Sequence, residues 1–157
     1  MFMNGKILFL AALAAASSVP AIAGGIMLET KVMKTEAVKL PNGGTTERQV
    51  AAQKAVPGDP MVYVLAYRNT GAAPAADVVL ASPVPATMIY RGAGAGAEPE
   101  VSIDGVRFAR LADLSVTGPG GVRRAARLSD VTHVRWRITD PIPAGATGEV
   151  SFHAALR

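Results

Sequence analysis

Short runs of alternating apolar and polar residues, cut at close intervals by turn formers, constrain this chain more than any other feature. Sixteen glycines and eleven prolines in 157 residues interrupt any helix-period stripe after residue 24. A period of two between turn signals remains, which is the pattern of an all-β sandwich or barrel. In Ile26–Val32, Ile26, Leu28, Thr30 and Val32 share one parity, and the adjacent apolar pair Val32-Met33 predicts a bulge or a change of face. Pro41-Asn42-Gly43-Gly44 reads as a turn, and the polar run 45–54 as an edge strand that resists pairing with other edges. Pro57-Gly58-Asp59-Pro60 is a second turn. Met61–Asn69 is apolar on both parities, so it is expected at the centre of a sheet. Asp77–Ser82 is a short strand stopped by Pro83-Val84-Pro85, and Thr87–Arg91 resumes extended structure.

The second half continues in the same way. Gly92–Pro99 is low in complexity and reads as flexible, which argues against Glu98 and Glu100 as a rigid carboxylate pair. Asp104-Gly105 between Val101–Ile103 and Val106–Phe108 predicts a tight hairpin. The last two runs have inward rows Val134, Trp136, Ile138 and Val150, Phe152, Ala154, Leu156. Paired antiparallel about the turn Asp140–Gly145, they would set Trp136 opposite Val150, Val134 opposite Phe152, His133 opposite His153 and Arg137 opposite Glu149. The expected fold is an immunoglobulin-like β-sandwich of about seven to nine strands.

The start of the chain reads differently. Lys6 precedes a wholly apolar or small run, Ile7–Val19, shorter than the roughly 20 residues a spanning helix needs. Pro20 and then Ala21-Ile22-Ala23 follow, so residues 1–23 read as a secretory signal peptide cut between Ala23 and Gly24. Residues 24–157 are then one domain, with 26–54 an N-terminal strand and polar hairpin before the core at 55–157. That domain is expected in the periplasm or outside the cell, with no transmembrane segment. Having no cysteine, it holds its fold by burial alone, and thiol chemistry is excluded.

One ordered set of motifs resembles a known family. Val56-Pro57-Gly58-Asp59, Tyr63, Asn69-Thr70-Gly71, Pro74-Ala75-Ala76, Val78-Val79 and Pro83–Met88 are similar to the bacterial conserved repeat domain, the domain of unknown function number eleven. Asp140–Gly145 and Gly148–Phe152 resemble its last turn and strand, so the likeness spans about 50–157. Ser82 stands where that family usually carries an acid, and the chain holds a single copy where members are often tandem repeats. The resemblance implies an immunoglobulin-like, extracytoplasmic, structural or adhesive module without catalytic residues.

Candidate sites are few. His133 and His153 are the only histidines, a pair one sheet face would need to supplement before a metal could bind. No serine sits in a G-x-S-x-G elbow, so the chain is expected to be non-enzymatic and to use no cofactor. Residues 107–137 hold Arg107, Arg110, Arg123, Arg124, Arg127, Arg135 and Arg137 against Asp113 and Asp130, a net charge of +5, while the rest of 24–157 sums to −2. This asymmetric field suits an anionic polysaccharide. Nucleic acid is not expected, because Phe108 and Trp136 are read as core rather than as stacking platforms. The remaining reading is self-association or a protein partner: Ile26, Leu28 and Val32 would leave their own sheet and complete a neighbour's, building a filament by strand exchange.

Overall fold

The structure, a computed structural model, describes residues 21–23, 25–51 and 55–157. Residues 1–20, Gly24 and 52–54 lie outside it, and with them the apolar leader, one side of the expected cleavage point and the end of the polar run 45–54. The described chain is all-β, and its sheets pack as a β-sandwich. The first sheet is built on β4 (Pro60–Asn69), whose apolar parities on both faces put it in the middle. Its neighbours are β2 (Ile26–Lys39) on one side and β11 (Thr147–Leu156) on the other, with β6 (Met88–Ala93) beyond β11. The far edge of β2 is shared by β1 (Ala21–Ala23) near its start and β3 (Thr45–Ala51) near its end. The second sheet has the order β5 (Val78–Pro83), β10 (His133–Ile138), β7 (Glu100–Ser102). A separate ribbon pairs β8 (Ser115–Thr117) with β9 (Arg123–Ala125). All of these pairings are antiparallel.

The interior lies between β4, β11, β6 and the three-stranded sheet. Phe152 stacks on Tyr63 at 4.8 Å between ring centroids, and Tyr90 and Trp136 tilt against it at 6.0 and 6.3 Å. Met61, Leu65, Val134 and Val150 close the same core. The β2 row Leu28, Thr30, Val32 is only half-buried, because the narrower second sheet stops short of it.

Several expectations need correction. β10 and β11 do not form a hairpin. They belong to different sheets, β10 beside β5 and β7, and β11 between β4 and β6. Their inward rows face each other across the interior, so Trp136 meets Phe152 through space and not Val150 along a ladder. Alternation fixes which side is apolar, and two facing layers satisfy it as well as one ribbon does. The turn at 140–145 is a crossover instead. Ile142 is buried there and exchanges backbone bonds with Ala75 at 2.9 and 2.8 Å.

No bulge interrupts β2 at Val32-Met33: its register on β4 runs unbroken from Ile26 to Lys34. Val32 faces the interior while Met33 lies beside Val62 on the outer face, so each has its own apolar neighbour. Asp104-Gly105 does not close a two-residue hairpin either. The Asp104 carboxylate accepts from the N–H groups of Val106 and Arg107 at 2.8 and 3.0 Å and from the Ser102 hydroxyl at 2.9 Å. This makes a broad turn, and pairing resumes only at Val101 and Ala109.

The stretch read as flexible is bolted across one side of the sandwich. Gly94 N–H donates to Ser151 C=O, Ala95 N–H to Ser151 Oγ at 2.7 Å, and Trp136 Nε1 to Ala97 C=O at 3.1 Å. Gly94 is required here, since a Cβ at that position would overlap Ser151. Glu100 is therefore held in β7. Other expectations match the structure: β4 is central, β3 is an edge strand of polar residues, Pro41–Gly44 is a turn, and β5 and β6 are strands.

Candidate functional site

The arginine-rich segment follows β7, includes the β8–β9 ribbon and ends in β10, and its charges are not equally available. Arg135 donates to Glu100 from Nε and Nη2 at 3.1 and 2.7 Å and lies 4.2 Å over the Phe108 ring. Arg137 approaches the same carboxylate at 3.5 Å. Arg124 grips Asp130 with two parallel hydrogen bonds, the geometry that makes guanidinium–carboxylate pairs strong. Arg123 donates to Ser115 Oγ at 2.6 Å. Among the described residues, the guanidinium groups of Arg107, Arg110 and Arg127 have no salt bridge or hydrogen bond. The seven arginines thus divide into three engaged by carboxylates, one by a hydroxyl, and three that face solvent without a partner.

The histidines are not opposite each other. His133 lies on the outer face of the second sheet, across from Ser102 and Pro83, with its ring edge toward Phe108. His153 lies on the outer face of the first sheet, across from Val62. Both layers of the sandwich separate them, so they cannot share an ion. Among the described residues, no three His, Asp or Glu side chains gather as a metal site would require. The Arg137–Glu149 pair is also absent, for the same reason: Glu149 is in the first sheet opposite Ala66, and Arg137 is in the second opposite Val79. Ile26, Leu28 and Val32 lie in their own sandwich, paired with β4 at Asn69, Tyr67 and Tyr63.

A feature that no motif announces is an open depression of ≈ 550 Å³ on the outer face of the first sheet, lined by Met27, Glu29, Ala66, Arg68, Thr147 and Glu149. Register places Glu29 and Glu149 on either side of Ala66, and Met27 and Thr147 on either side of Arg68. Only the pairing order β2-β4-β11 brings these residues together, so residue spacing along the chain carries no signal for it.

Four carboxyls are held below their usual range. Two Arg124 hydrogen bonds and the Arg127 N–H bring Asp130 down to about 2, the Arg135 hydrogen bond lowers Glu100, the Val56 N–H and Lys34 lower Asp59, and the N–H groups of Val106 and Arg107 lower Asp104. The unfolded chain regains ordinary carboxyls near 4, so between about pH 5 and pH 2 it binds more protons than the native state. These contacts therefore stabilise fully above that window, and their contribution is lost as pH falls through it. Tm is expected to drop between pH 5 and 2.5, and Asp130→Asn should make the drop shallower. A Tm that is flat across this range would refute the assignment.

Among the described residues no helix is long and apolar enough to cross a membrane. Comparison of the chain with family models, with curated proteins and with solved structures gave no match.

Proposed function

We propose that this chain is an exported, non-enzymatic β-sandwich module with a structural or interaction role in the cell envelope, periplasmic or extracellular. The observation that carries the reading is how fully the interior is committed to packing. Trp136, Phe152, Leu65 and Val134 are sealed, and among the described residues every buried side-chain nitrogen and oxygen has a partner. This is how an interior devoted to packing satisfies its polar groups. What this fold offers a partner is its strand edges, its outer faces and its charged ribbon. The leader-like residues 1–23 supply the direction of export. The test is cell fractionation followed by intact-mass measurement. The expected product begins at Gly24 and is found outside the cytoplasm; a full-length chain retained in the cytoplasm would overturn the proposal. Cleavage there also removes β1 and opens the β2 edge at Ile26–Leu28.

A second reading, an anionic polysaccharide ligand, is favoured by the three unpartnered guanidinium groups. Combined replacement of Arg107, Arg110 and Arg127 by alanine is expected to move elution from heparin to clearly lower salt, since each lost cation weakens the attraction to a polyanion. Replacing Lys39, Arg48 and Arg68 removes the same charge elsewhere and should move it less. Equal shifts would show a net-charge effect and no site. Arg124 is unsuited to this test, because its loss would strip Asp130 of both hydrogen bonds.

A further inference from the structure

We propose that the protein forms a two-fold dimer, edge to edge, through β5. Sheet edges are templates for pairing, and folded proteins blunt them with charge, proline, bulges or a covering element. Three edges of this sandwich are blunted. β3 carries Glu47 and Arg48 among threonines and Gln49. β6 is bent by a register shift against β11 at His153/Ala154. β7 is capped by Ala109, which exchanges bonds with Val101 at 2.8 and 3.1 Å.

β5 has none of these defences along Val78–Ser82. Its sequence, Val-Val-Leu-Ala-Ser-Pro, has no charge, and its one proline is the last residue. The hydrogen-bond parity of the second sheet gives the state of its free side. Val101 spends its N–H and C=O on Ala109, so Glu100 and Ser102 are the β7 residues that bond β10, through Arg135 and His133. Val134, Trp136 and Ile138 then turn toward β5, where their partners are Ser82, Leu80 and Val78. The N–H and C=O groups of Val79 and Ala81 are left pointing outward, and no described residue bonds them. Val79 is also 48% exposed, an apolar side chain standing beside unused backbone groups.

The occupant that fits is a second copy of the same strand. Antiparallel pairing centred on Leu80 puts Val79 opposite Ala81 of the second copy and Ala81 opposite its Val79. Both are bonding positions, so the seam closes with four backbone hydrogen bonds. Val78 then meets Ser82 of the second copy and Leu80 meets its Leu80, and no two like charges come together although the chain carries +4 overall. The two-fold is closed, because it uses the β5 edge of both copies at once. It also joins two three-stranded sheets into one of six. None of this depends on where the protein is exported or what it binds.

The decisive measurement is light scattering on the protein in the form its cell accumulates, at about 100 μM, because dimerisation is a mass-action equilibrium. A mass twice that of the single chain is expected. Val79→Lys with Ala81→Lys lines the seam with four ammonium groups and should weaken the dimer at least tenfold, as like charges across a contact do. Ala81→Pro removes an N–H that β10 does not use and should also favour the monomer. Gln49→Lys on the β3 edge should leave the mass unchanged. Should the β5 variants fail to fold, hydrogen exchange of the unaltered protein decides: the Val79 and Ala81 amides should become more protected as concentration rises. A monomer at about 100 μM, a dimer indifferent to both β5 variants, or concentration-independent exchange at these amides would each overturn the proposal.

Discussion

Phe152→Ala is expected to cost about 3–5 kcal/mol, the range for deleting a large ring from a sealed core. Phe152 is fully buried and is the one ring that the other three core aromatics share: Tyr63 and Tyr90 from its own sheet, Trp136 from the facing one. The cavity cannot easily collapse. Tyr63 is fixed in the central strand, and Trp136 is tethered by its hydrogen bond to Ala97. A domain of this size has about 5–15 kcal/mol in total, so the variant should lose a large part of its denaturation midpoint at an unchanged slope. A double-mutant cycle sharpens the test. The sandwich predicts coupling of about 0.5–1.5 kcal/mol between Trp136 and Phe152, which touch across the layers. It predicts none between His133 and His153, which a hairpin of the last two strands would have set side by side. A loss below about 1 kcal/mol on truncating Phe152 would mean that the interior is not built around it.

The parts of this fold that sequence reveals are those fixed by a residue's own side chain. Met61–Asn69 shows apolar residues on both parities and is the central strand. The polar run from Thr45 becomes an edge, and Pro41–Gly44 becomes a turn closed by bonds between Leu40 and Gly44. The parts it hides depend on which element lies next to which. The rows Val134-Trp136 and Val150-Phe152 are apolar whether they share a sheet or face each other, and period alone cannot distinguish the two. Charge has the same ambiguity. Seven arginines count as +7 in composition, yet Arg135 and Arg137 converge on Glu100, about 35 positions away in the chain, and Arg124 is taken up by Asp130. Gly92–Pro99 reads as a linker because glycine and alanine are permissive, while the bonds that fix it come from Ser151 and Trp136, both remote in sequence. The open edge of β5 and the Glu29–Glu149 depression are likewise products of strand order.

Asn69 joins these two levels, and Asn69→Asp tests the join. In the sequence, Asn69-Thr70-Gly71 is a turn signal. In the structure, Asn69 is 1% exposed and uses its whole amide. Nδ2 donates to Ala73 C=O and Ile142 C=O, both at 2.8 Å, and Oδ1 accepts from Gly71 N–H at 2.9 Å. Its backbone bonds Ala146 and Gly145, so one residue ties the end of β4 to the crossover between the sheets. Aspartate has nearly the same shape and keeps the Gly71 bond, but it loses both donors and sets a carboxylate oxygen against two buried carbonyls. At pH 7 the cost is expected to be about 3–5 kcal/mol, that of an uncompensated buried charge. Asn69→Ala, which leaves the same carbonyls without a donor but adds no charge, should cost about 2–4 kcal/mol. The two variants separate on pH. An aspartate held there has its folded pKa raised above the unfolded value near 4, so its penalty is full above the folded pKa and shrinks as pH falls toward 4. The Tm gap between the aspartate variant and the unaltered protein should therefore narrow from pH 7 to pH 4, while the gap for the alanine variant stays constant. If Asn69→Asp is as stable as the unaltered protein at pH 7, Asn69 is a surface turn residue and the crossover at Ile142 is held by something else.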